Sequence, residues 1–130
     1  MENPLQIIVL PDHLAICRLP PDSPDPAWAD GSNLIARVRT PDELSIVCGS
    51  DRVPEGVQAD SAWRALKVQG PLDLTLVGIL SSLSFSLAAA GVGIFVVSTY
   101  DTDYLLVKEN DLENAIRALR EARHEVYDLT

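Results

Sequence analysis

The second half of the sequence falls into segments of distinct hydrophobic period, and their order constrains the fold more than any other feature. Residues 62–69 alternate apolar and polar positions, which predicts a half-buried strand, and Gly70-Pro71 end it because proline cannot donate to a strand ladder. Leucines then recur at spacings of four and three residues over 76–90, as on one face of a helix. Gly91 follows where a helix commonly ends in a residue of positive φ.

The remaining segments complete a recognisable order. Residues 93–100 and 104–108 favour two strands joined by a tight turn. Asn110 and Glu113 have the spacing of a capping box at the start of an amphipathic helix. Residues 124–129 indicate a final strand. The order strand, helix, strand, strand, helix, strand predicts a ferredoxin-like α+β unit, with two helices on one face of an antiparallel sheet.

The N-terminal half has the pattern of short strands separated by turns. Strands are expected at residues 5–10, 14–19, 33–40 and 43–48. The first two are expected to pair as a hairpin, and the proline-rich segment 20–32 to form a loop with one helical turn near Trp28. The polar segment 49–60 is predicted to link the two halves of the chain. The expected domains are therefore 1–60 and 61–130.

Charge and composition exclude several classes of partner. Ten Lys and Arg against 19 Asp and Glu give a net charge of −9 and a pI near 4.4. Nucleic acids and anionic membranes are therefore not expected partners, because both need a basic surface. Residues 74–97 carry no charge, but serines and the Gly91-Val92-Gly93 break argue against a membrane span.

The cysteines and the N-terminus predict a cytoplasmic protein. Cys17 and Cys48 lie in apolar runs without metal-binding or redox spacing, so we expect two buried thiols and no disulfide. The first residues lack the basic and apolar parts of a secretion signal.

The common catalytic and cofactor motifs are missing from the sequence. Gly91-Val92-Gly93 precedes a strand and lacks the third glycine of a dinucleotide-binding turn. Nucleophile elbows, phosphate loops and His-Glu-x-x-His helices do not occur, and His13 and His124 have no ligand partners at a suitable spacing. We therefore expect no catalytic residue, no metal and no cofactor.

Several motifs give the chain a family resemblance. They are Gly70-Pro71-Leu72, Val77-Gly78-Ile79-Leu80, the run 87–95 and the run 98–107. Together they resemble the ACT-domain superfamily, and in particular small two-ACT proteins related to aspartate kinase regulatory domains and the cytosolic arginine sensor. The likeness extends from 63 to about 123, and in the first half it rests on 44–48 and Val53-Pro54. It implies two ACT-like βαββαβ halves, of which 1–60 is degenerate and 61–130 is the ACT domain.

The resemblance also implies a non-catalytic, allosteric module that binds a free amino acid where ACT units meet. A helix start offers unpaired N–H groups to the ligand carboxylate, and acidic or hydroxyl groups suit its ammonium. Gly78 would let the ligand approach the backbone closely, and Asp103 occupies a position at which relatives contact their ligand. The candidate binding residues are Val77, Gly78, Ile79, Leu80, Thr99, Tyr100, Asp101 and Asp103, with Ser45, Val47 and Cys48 as a second wall.

Two other functions stay open at this point. One is a ligand-free module that uses sheet edges to form a homodimer or to brace a partner enzyme. The other is a small ferredoxin-like enzyme that acts on an amino-acid-like compound. The sequence does not identify the amino acid, the oligomeric state or the partner protein.

Overall fold

The computed structural model describes residues 4–70 and 78–128 and contains eight strands and two helices. The chain forms two compact units, Met1–Pro11 with Arg64–Thr130, and Asp12–Trp63. The elements are β1 (Gln6–Val9), β2 (Leu14–Leu19), β3 (Ala36–Arg39), β4 (Leu44–Gly49), β5 (Gln58–Val68), α1 (Ile79–Ala89), β6 (Phe95–Ser98), β7 (Asp103–Lys108), α2 (Leu112–Glu121) and β8 (Glu125–Asp128).

The unit that contains both helices has the predicted order β5-α1-β6-β7-α2-β8. Its strands pair in the sequence β6-β7-β5-β1-β8, so the N-terminal strand lies between β5 and β8. Ile7 of β1 faces Val68 of antiparallel β5 on one side and Val126 of parallel β8 on the other. This pairing is why the first eleven residues belong with the C-terminal segment, a division that differs from the expected 1–60 and 61–130.

The core of this unit lies between its strands and its two helices. Leu112, Ala115, Ile116 and Leu119 are buried at the spacing of one helix face and hold α2 on the sheet. Leu83 and Leu87 do the same for α1. Gly91 ends α1 with φ +77°, as the sequence predicts.

The other unit, Asp12–Trp63, is smaller and has no α-helix anywhere in its fully described length. Its strands pair in the order β3-β4-β2-β5. Short 3₁₀ turns at Ala27–Ala29 and Ser50–Arg52 are its only helical segments, which confirms the predicted turn near Trp28. A small core of alanine, cysteine and aliphatic side chains supports it, in line with a degenerate ACT-like half.

Three local predictions are wrong. Strands β1 and β2 form no hairpin, because each pairs with β5 instead. The segment 49–60 does not link two halves, because it lies inside the unit Asp12–Trp63, where it leads from the end of β4 at Gly49 into β5, which begins at Gln58. The capping box is missing because Asn110 lies inside a 3₁₀ turn, Glu109–Asp111, and Asp111 precedes α2 without a capping side chain.

Within the described part of the chain, no helix combines the length and the apolar character that crossing a membrane requires.

Candidate functional site

The start of α1 has the open backbone that the sequence predicts. Gly78 is the N-cap residue, with φ +93° and ψ −6°, and none of the described side chains caps the helix there. A Cβ atom built on Gly78 would meet nothing within 4 Å. Since the first N–H groups of a helix have no intrahelical acceptor, this end of α1 can donate to an anion.

The two residues after Gly78 contribute mainly their backbone. Ile79 and Leu80 are half-buried and pack against the core of the two-helix unit. Their side chains are therefore committed to the fold. Val77, which was predicted to belong to the same site, lies outside the described residues.

The turn between β6 and β7 is closed by its own threonines. The N–H of Thr99 donates to the carbonyl of Thr102 at 2.8 Å, and the N–H of Thr102 donates to Oγ1 of Thr99 at 3.2 Å. Oγ1 of Thr102 donates to the carbonyl of Val68 at 2.6 Å and is buried. This last bond attaches the turn to the end of β5.

The acidic and aromatic groups of the same hairpin differ in exposure. Asp103 is half-buried at the start of β7, which begins one residue earlier than the predicted strand 104–108. Its Oδ1 accepts from Oγ of Ser98 at 2.6 Å. Asp101 is exposed, and Tyr100 is 82% exposed. The Ser98 bond fixes the orientation of the Asp103 carboxylate, which suits it to accept from an ammonium group.

The three predicted residues of β4 lie in the unit Asp12–Trp63 and are mostly buried. Ser45 is half-buried, whereas Val47 and Cys48 are buried. Cys48 packs in the small core with Cys17, and burial raises the pKa of both thiols, to about 12 for Cys17. Val47 and Cys48 therefore present no accessible side chain.

One charged residue, Arg64, is not among the site residues that the sequence predicts. Arg64 lies in β5 and is only 7% exposed. The signal was present, because a strand alternates faces and Arg64 shares its face with Leu66 and Val68.

Comparisons with known proteins agree with this architecture. A family model described as the ACT domain matches residues 58–121, and a second model, for an N-terminal domain, matches 12–56. A crystal structure of an Agrobacterium tumefaciens protein is 41% identical, with a TM-score of 0.93, and the match covers 99% of this chain and 96% of that one. No curated protein matches the sequence.

Two more distant structures share the fold. A Vibrio cholerae protein of unknown function, described as a possible transport protein, is 18% identical over 90% of this chain and 88% of its own, with a TM-score of 0.71. The ligand-free regulatory subunit of aspartate kinase from Thermus thermophilus is 15% identical over 85% of this chain and 93% of its own, with a TM-score of 0.61. The fold is thus α+β with ACT-type halves. Residues 58–121 belong to the ACT-domain superfamily.

Proposed function

We propose that this protein is a non-catalytic regulatory sensor that binds a free amino acid at the start of α1. Family membership supports a regulatory role, since the aspartate kinase structure that shares the fold is a regulatory subunit. The observation that carries the proposal is the uncapped, open helix start at Gly78.

The two ends of an amino acid suit the two parts of the proposed site. The N–H groups of Ile79 and Leu80, at the positive end of the α1 dipole, receive the carboxylate. The Asp103 carboxylate, held by Ser98, receives the ammonium, with Asp101 and Tyr100 beside it in the chain. Glycine at position 78 keeps the approach to the backbone free of a side chain.

The bound state would be read by another protein in the cytoplasm. An amino acid that ties the β6–β7 turn to α1 would change the surface that a partner protein or a second copy of this chain contacts. Signalling of this kind needs no cofactor.

Thermal unfolding with each of the standard amino acids tests the proposal. A ligand at a hundredfold excess over its dissociation constant adds about 2.7 kcal/mol to the free energy of unfolding, or about 10 °C for a domain of this size. The sensor responds in this way to one amino acid or a few related ones. A ligand-free interaction module responds to none, and an enzyme would consume the compound, which chromatography of the mixture detects.

A further inference from the structure

Among residues 4–70 and 78–128, no carboxylate pairs with the buried side chain of Arg64. Nη2 donates to the carbonyl of Leu10 at 3.0 Å, and Nε is buried and has no hydrogen-bond partner within those ranges. Because a guanidinium carries five N–H donors and does not lose its proton in proteins, a single backbone acceptor leaves most of its capacity unused.

The location of Arg64 makes this arrangement costly. In β5 the side chains of Leu66 and Val68 point into the core between strands and helices, and both are completely buried. Arg64 lies two residues before Leu66 and therefore on the same face of the strand. The guanidinium thus extends a row of apolar side chains, where an uncompensated charge is strongly disfavoured.

A shortage of acidic residues does not explain the missing partner. The chain has 19 Asp and Glu against 10 Lys and Arg. Arg37, which is more exposed, has two partners, Asp25 and Asp30. Across the described residues, no carboxylate forms an ion pair with Arg64.

The strand is also irregular just before this residue. Ala62 has φ +68°, in a region that residues other than glycine rarely occupy. The pairing of β5 with β2 slips by one residue there, between Leu14 and Ile16, so β5 contains a bulge. Bulges re-aim the side chains that follow them and are common beside functional sites.

We propose that Arg64 binds the carboxylate of a small organic acid that enters from outside the chain. The planar fork of a guanidinium matches a carboxylate, which accepts two parallel N–H bonds. The carboxylate would take up the donors that Leu10 leaves unused and supply the missing negative charge. The proposal does not rest on amino-acid binding at the start of α1.

Nuclear magnetic resonance of the wild-type protein tests the proposal, with sodium acetate as the probe. The side-chain Nε–H signals are followed during titration at constant ionic strength, with sodium chloride as the balancing salt. Arg18 is the matched control because its Nη2 also donates to one backbone carbonyl, that of Asp42 at 3.0 Å, while its side chain is exposed.

The Arg64 signal is expected to shift along a saturating curve with acetate, while the Arg18 signal shifts only in proportion to concentration. A linear Arg64 response like that of Arg18 would overturn the proposal. Saturation with inorganic phosphate but not with acetate would overturn the assignment to a carboxylate.

Two variants give an independent readout by thermal unfolding. Arg64→Met is expected to melt at the same or a higher temperature than the wild type without ligand, since it removes an unpaired buried charge, and to lose the stabilisation by acetate. Arg18→Met is expected to retain that stabilisation. An acetate response that persists unchanged in Arg64→Met would contradict the proposal. Gly78→Val is expected to keep the acetate response, which separates this site from the amino-acid site.

Discussion

The backbone N–H of Leu5 donates to Nδ1 of His124 over 3.1 Å, and in return the N–H of Glu125 donates to the carbonyl of Leu5 at 2.9 Å. The first bond requires a neutral imidazole with its proton on Nε2, because a protonated ring has no acceptor at Nδ1. Burial lowers the pKa of His124, which favours that neutral form. These two hydrogen bonds hold the start of β1 next to the start of β8.

The stability of the protein is therefore expected to fall as the pH drops below about 6.5, the ordinary value for histidine. In that range the unfolded chain binds a proton at His124 before the folded chain does, so the free energy of unfolding decreases by up to about 1.4 kcal/mol per pH unit. The loss stops below the folded-state pKa. Urea unfolding of the wild type and His124→Gln from pH 8 to pH 5 measures this decrease in the free energy of unfolding.

The difference in the free energy of unfolding between the wild type and His124→Gln is expected to shrink toward acidic pH, because protonation takes away the Nδ1 acceptor that the Leu5 N–H uses in the wild type. Parallel pH curves for the wild type and His124→Gln would show that His124 is not a source of the pH dependence.

The two cysteines are expected to be unreactive in the folded protein. Burial, helped by the neighbouring Cys48 thiol, raises the pKa of Cys17 to about 12, and burial raises that of Cys48, so very little thiolate exists at pH 8. A thiol reagent such as Ellman's reagent should react at the rate of unfolding and detect two thiols in guanidinium chloride. Rapid labelling of either cysteine in native buffer would disagree with the buried core of the Asp12–Trp63 unit.

Replacement of Asp103 is expected to remove amino-acid binding with little effect on the fold. Asp103→Ala loses one hydrogen bond, from Ser98, which costs about 1 kcal/mol and lowers the melting temperature by a few degrees. The stabilisation by the amino acid should disappear. Ser98→Ala is the matched control, because it breaks the same bond but keeps the carboxylate, and it should still respond. If Asp103→Ala binds as tightly as the wild type, the ammonium is held elsewhere.

Bulk at position 78 is expected to block the ligand. Gly78→Val places a branched side chain at the helix start and forces a positive φ on it, which costs about 1–3 kcal/mol. Gly56→Val carries the same strain, since Gly56 has φ +90° and open space around it. Both variants should melt at a lower temperature than the wild type, but only Gly78→Val should lose the amino-acid response. If the amino acid stabilises Gly78→Val as much as Gly56→Val, Gly78 does not belong to the binding site.

The sequence predicts those elements whose own residues determine their position. The stripe of Leu112, Ile116 and Leu119 is buried as predicted because a helix face is a local property. Strand β1 has four residues, and nothing in them indicates insertion between β5 and β8, which depends on distant partners. Pairing of this kind is decided by tertiary contacts.

In the candidate site, too, the sequence predicts only those features that neighbouring residues determine. The open backbone at Gly78 is one of them, because a glycine directly before a helix leaves the helix start without a side chain. The Thr102 hydroxyl donates to the carbonyl of Val68, a residue 34 positions earlier, and no local pattern indicates that bond. Alternation places Arg64 on the same strand face as Leu66 and Val68, but the sequence does not show that the guanidinium itself is buried, and the bulge that precedes Arg64 has no clear sequence signature.

A crystal structure with the amino acid that stabilises the protein most is the decisive test of binding at the start of α1. The ligand carboxylate is expected within hydrogen-bonding distance of the N–H groups of Ile79 and Leu80, with the ammonium against the Asp103 carboxylate. A ligand bound away from the start of α1, or side chains filling the space beside Gly78 in the complex, would contradict it.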